Sequence, residues 1–123
     1  MADFATDSHD FDALLAGEPI VTYSRTLQGG NGTLARGSVL AEDSDDGDKL
    51  VLVDSGSATT SIQEPKFILA EETDTSDGDI DAAVYAAGQF NENELTFGGD
   101  DGPDDHRDAL RGLNIYLKDA VQN

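Results

Sequence analysis

Apolar positions along the chain fall into short runs separated by polar turns rather than into helical stripes. The first clear run is PIVTYSRTL (19–27), rich in β-branched and aromatic residues, which predicts a strand opened by Pro19. QGGNG (28–32) comes next with glycine and asparagine, the residues that accept the positive φ of tight turns. TLARGSVLAE (33–42) then carries Leu34, Val39 and Leu40 as apolar positions around Gly37, and a glycine within a strand marks a bulge or a close backbone approach. DSDDGD (43–48) is a second turn, KLVLV (49–53) a short buried strand, DSGSATTSIQEP (54–65) a long polar loop, and KFILA (66–70) another strand.

After the acidic turn EETDTSDGD (71–79), DAAVYAAGQF (81–90) predicts a strand ending near Gly88, with ELTF (94–97) as its return. GGDDGPDD (98–105) is a loop. It delivers Pro103 and two carboxylates to the start of a short helix, HRDALR, which Gly112 is placed to end. LNIYLKDAV (113–121) alternates as a last strand. Residues 1–18 read as an extended N-terminal arm in which Phe4, Phe11, Leu14 and Leu15 are the large apolar groups. Ser8 is placed to cap a short helix through Leu15. The pattern therefore predicts a mainly β (α+β) fold: a small barrel-like or β-clip-like domain over residues 19–123, one short helix near the C-terminus, and the arm over 1–18.

Charge changes this picture most. The chain holds 19 Asp and 7 Glu against 7 Lys plus Arg, a formal net charge of −19. A surface of that sign repels phosphate backbones and anionic bilayers, so neither nucleic acid nor membrane is expected as a partner. No apolar run approaches the ~18 residues of a membrane span, and the acidic start lacks the basic and apolar regions of a secretory signal. The acids are spread along the chain, Asp greatly outnumbering Glu. Self-repulsion of that size favours a solvent in which salt screens it, which suggests a salt-loving host.

Candidate chemistry is thin. No cysteine is present, which removes thiolate nucleophiles, thiolate ligands and disulfides. Ser8-His9-Asp10 contains the residue types of a hydrolase triad, but neighbours in an acidic arm diverge in space. His106, beside Asp104 and Asp105, reads as a surface histidine rather than a general base. Loops centred on Gly47 and Gly78 place Val53 and Val84 where a calcium-binding EF-hand needs a bidentate carboxylate. Gly30-Asn31-Gly32 leads into strand-like sequence rather than a helix, so it reads as a hairpin turn and not a dinucleotide fingerprint. Neither catalytic residue, metal site nor cofactor is predicted.

The order of LARGSVL (34–40), KLVLV (49–53), KFILAEETDTSDGD (66–79), AAVYAAGQFNENELTFG (82–98) and RDALRGLNIYLKDAV (107–121) resembles the head decoration proteins of tailed bacteriophages, the lambda head-decoration family. That resemblance implies a virion structural protein which assembles as a homotrimer on the outer surface of the capsid. There it would bind the major capsid protein and stabilise the shell. It further implies an arm that anchors through Phe4, Phe11, Leu14 and Leu15, and a body in which Gly37, Gly88 and Phe90 serve the trimer or internal packing. A tail, neck or turret component is the alternative.

Overall fold

The computed structural model describes residues 15–119. Within them, eight strands and one helix run in this order: β1 Leu15–Leu27, β2 Thr33–Leu34, β3 Val39–Asp43, β4 Lys49–Leu52, β5 Phe67–Leu69, β6 Thr73–Asp74, β7 Ile80–Asn91, α1 Pro103–Arg111 and β8 Ile115–Lys118. Short 3-10 turns occupy Ser44–Asp46, Thr60–Gln63 and Glu92–Glu94. The fold is mainly β with one short helix near the C-terminus, as the pattern of apolar runs predicts.

Six strands form one sheet in the order β1-β4-β3-β5-β7-β8, and β1 also pairs with β7, so the sheet curls back on itself. The β1–β7 ladder is antiparallel and runs from Leu15↔Phe90 to Leu27↔Ile80. Closure against β4 is narrow, with Leu27↔Leu50 and the bond from Gln28 N–H to Leu50 O at 3.0 Å. β8 extends the sheet by lying parallel to β7, from Gly88↔Ile115 to Asn91↔Lys118. β2 and β6 form a separate two-stranded ladder.

Adjacent residues of a strand point to opposite faces, and both faces of the central strands are apolar. One face packs Leu27, Leu34, Leu40, Leu50, Leu69, Ala82 and Val84 together. The other gathers Val39, Ala41, Val53, Ile68, Phe90, Leu110 and Ile115, with α1 supplying Leu110. β7 contributes to both because it changes parity: Thr22 pairs with Tyr85 but Val21 pairs with Ala87. The extra residue, Ala86, is a bulge of the kind that bends a strand and re-aims the side chains beyond it. Ala82 and Val84 therefore enter the first cluster, while Phe90 enters the second.

Several details of these elements depart from the sequence reading. The strand through 81–90 does not end near Gly88. It continues to Asn91, because Gly88 (φ 141°) is taken up by the parallel pairing with β8. ELTF is not its return. Asn91 accepts a bond from Asn93 N–H and caps the Glu92–Glu94 turn, sending the chain across to Ser38, where Thr96 forms an isolated parallel bridge. Gly112 sits after the helix in right-handed conformation (φ −63°), and it is Asn114 (φ 68°) that makes the left-handed turn into β8. At the other end of α1 the expected chemistry is present: Pro103 opens the helix, and the Asp105 carboxylate accepts from Gly102 N–H at 2.8 Å.

Candidate functional site

β1 begins at Leu15, so residues 15–18, assigned to the arm from sequence, already lie in this strand, with Leu15 and Gly17 paired to Phe90 and Gln89 of β7. Among the described residues the opposite edge of β1 meets a partner only at its end, where Leu27 touches β4. Over most of its length β1 therefore offers a row of backbone donors and acceptors along one side. Unpaired edges of this kind are natural sites for strand addition. Ile20 to Ser24 are half-buried or exposed, with Val21 at 38% and Tyr23 at 55%.

Of the site residues predicted from sequence, Leu15, Gly37, Gly88 and Phe90 fall among the described residues. Phe4, Phe11 and Leu14 lie outside the described residues, as does the Ser8-His9-Asp10 run. Leu15 opens β1 opposite Phe90. Phe90 is fully buried, its ring 5.4 Å from that of Tyr85. Gly88 is buried beside Ile115 in the ladder. Gly37 (φ 96°) is also buried; its N–H donates to Leu69 O at 2.9 Å, and its carbonyl accepts from Thr96 N–H at 3.1 Å. Gly37 thus lets the chain turn tightly between Leu34 and Val39 in a backbone region that side-chain-bearing residues rarely enter.

His106 is not a surface residue. Its side chain is 3% exposed, stacks on Phe97 at 5.6 Å and places Nε2 2.7 Å from Asp101 Oδ2. The helix turns it inward, away from the carboxylates beside it in sequence. Asp101 is 6% exposed and also accepts from Ser55 Oγ at 2.5 Å and Ser55 N–H at 2.7 Å. Burial opposes its ionisation, but the bonds from Ser55 and His106 prevail and hold the carboxyl below its ordinary pKa. Serine and histidine both bind the same carboxylate, with no bond between them, so this is a brace joining the loop after β4 to α1. A hydrolytic triad needs the serine on the histidine.

Other polar groups bond to one another nearer the surface. A cleft of about 340 Å³ is lined by Gln28, Asn31, Leu34, Val51, Asp54 and Ile62 among others. Gln28 Nε2 donates to Asp43 and Asp46, Asn31 Nδ2 donates to Gln28, and Asp54 Oδ1 accepts from Gly56 N–H. Those bonds satisfy the side-chain amide donors of Gln28 and Asn31 within the protein itself. Lys49 lies between Asp46 (3.2 Å) and Asp79 (2.7 Å); hydrogen bonds to Asp79 and then Asp46 raise its pKa. Arg107 bridges Glu92 and Asp104, each at 2.7 Å, tying the helix to the Glu92–Glu94 turn. Among the described residues no three His, Asp or Glu side chains are arranged to hold a metal ion, and no helix is long and apolar enough to cross a membrane.

The distribution of charge completes the surface. Acids are widespread, yet none falls in residues 19–41, 82–91 or 109–118. The first two stretches include most of β1 and β7, and the third contains β8. Three adjacent strands of a −19 chain are thus almost free of carboxylates.

No curated protein matches the chain. Residues 4–115 match the family described as Bacteriophage lambda head decoration protein D, so the chain belongs to that family of virion structural proteins.

Proposed function

We propose that the protein decorates the outer surface of a tailed-virus head as a homotrimer, binds the major capsid protein and stabilises the shell. The family match over nearly the whole described body supports a role at the head rather than in a tail, neck or turret. The observation that carries the reading in the structure is β1. It is a 13-residue strand which continues directly from the N-terminal segment and leaves most of one edge unpaired among the described residues. An arm over residues 1–18, anchored by Phe4, Phe11, Leu14 and Leu15, would extend this strand onto the capsid protein and add main-chain bonds there. Residues 19–123 would form the body, together with residues 15–18, which the arm shares with β1, and Gly37, Gly88 and Phe90 would shape it from within.

The task needs no reaction. A protein that binds the assembled shell and not its separated parts makes disassembly costlier, and modest contributions multiply over a lattice. Three copies triple the −19 charge, so assembly calls for screening, and a halophilic host supplies it. The test is to incubate undecorated capsids with the full chain in concentrated salt, count bound copies by cryo-electron microscopy, and measure the temperature at which the shell releases its DNA. Three-fold density outside the shell and a raised release temperature are expected. Deleting residues 2–14 should cut occupancy sharply. Absence of binding, or density inside the shell, defeats the reading.

A further inference from the structure

The same face of the sheet that is core inside the barrel is open beyond it. Directly paired residues share a face, as do residues two apart on one strand. Val21 pairs with Ala87, and Gln89 pairs with Tyr116. Val21 and Tyr23 of β1, Ala87 and Gln89 of β7, and Tyr116 of β8 therefore lie on one face across three strands. Val21, Tyr23 and Tyr116 are 38%, 55% and 41% exposed. No carboxylate occurs in these strands between Pro19 and Leu27, Ala82 and Asn91, or Ile115 and Lys118. Arg25, stacked 4.9 Å from the Phe67 ring and paired with Glu42 at 3.1 Å, and the exposed Lys118 carry positive charge on this face.

Resting on the decoration reading above, we infer that this face is the surface set against the shell, and that it takes an uncharged, largely apolar patch of the capsid protein. Three observations select that occupant. The register places Leu15 next to Phe90 and Phe90 next to Leu117, so the arm proposed to lie on the shell leaves the body at the border of this face. The unpaired edge of β1 borders the same face, so side-chain contacts and main-chain bonds can be made together. Finally, a chain this acidic meets another protein at least cost where its own carboxylates are missing. Exposed tyrosines supply large contact area and one polar atom each, which suits a surface that is wet before binding and dry after it.

The test uses full-length protein and undecorated capsids. Tyr23→Asp and Tyr116→Asp should each weaken binding about thirtyfold or more, as loss of an interface hot spot does. Tyr23→Phe should bind like the parent, and Ile80→Asp, at the far end of β7, should too. Parent affinity should hold or rise between about 0.1 M and 1 M NaCl as repulsion is screened. Footprinting should show Tyr23 and Tyr116 losing label on the shell, an assay independent of whether the Asp variants fold. If the parent binds and the variants match it, or both tyrosines label equally on and off the shell, this inference fails while decoration stands. A steep fall of affinity with salt, or loss of self-association in the Asp variants with capsid binding intact, overturns it as well. If the parent does not bind at all, both readings fail.

Discussion

Tyr23 stands opposite Val84 in the β1–β7 ladder, on the same side of the sheet, yet Val84 is fully buried and Tyr23 is 55% exposed. The difference arises one strand away. Where β5 flanks β7 and the cluster of Leu27, Leu40 and Leu69 closes over the sheet, Val84 is core. β1 meets β4 only at Leu27, so four residues earlier nothing covers Tyr23 to the same degree.

That pair makes a direct prediction for stability. Val84→Ala should destabilise by on the order of 2 kcal/mol, through lost burial and the space left behind. Tyr23→Ala should fall within about 0.5 kcal/mol of the parent, as exposed substitutions do. Urea unfolding at one fixed high salt concentration measures both. Equal costs would mean that Tyr23 is packed in solution.

The exit of α1 gives a second prediction. Gly112 is right-handed and a Cβ there would meet Ala109 O at 3.4 Å, an ordinary contact, so Gly112→Ala should be neutral or stabilise by up to about 1 kcal/mol. Asn114 sits at φ 68°, where a Cβ is crowded by the following carbonyl, and Asn114→Val should cost about 1–2 kcal/mol. Thermal melts of the two variants check the order, and a reversed order would assign the turn to Gly112.

Asp101 fixes the sign of a pH effect. Its folded pKa lies below the ordinary carboxylate value because bonds from Ser55 and His106 overcome its burial. A depressed pKa stabilises the fold fully above the unfolded value, near 3.9, and that contribution is lost as pH falls through the folded value. Asp101→Asn should cost about 2 kcal/mol at neutral pH, and the gap to the parent should close as the medium is acidified below about pH 4. Unfolding free energies of both proteins across that range, at constant salt, decide the matter; a gap independent of pH removes Asp101 as its source.

Salt should stabilise the isolated protein. Raising NaCl from about 0.1 M to 1 M shortens the screening length from about 10 Å to 3 Å and weakens repulsion among exposed carboxylates. The melting temperature should climb over that range. The slope should flatten when exposed Glu72, Asp77, Glu94 and Asp100 are replaced by their amides. An unchanged slope would assign the salt effect to apolar burial instead.

Features that depend on a few neighbouring residues were legible in the chain before any fold was known. Turn chemistry at 43–48 is realised as a Ser44–Asp46 turn capped by the Asp43 side chain and closed by Gly47 at φ 64°. The runs KLVLV and KFILA became β4 and β5, and Pro103 with its two carboxylates started α1. The acidity of the surface was likewise evident from composition alone. Other features came from the folded arrangement: β7 continues past Gly88, Ala86 bulges and turns Phe90 to the second core, His106 is buried against Asp101, and a face with few carboxylates spans β1, β7 and β8. The bulge and the face rest on pairings between residues some sixty positions apart, such as Val21 with Ala87, and the continuation of β7 rests on Gly88 with Ile115. Local propensity has no access to such contacts, because which face of a strand meets solvent is set by what lies across the sheet from it.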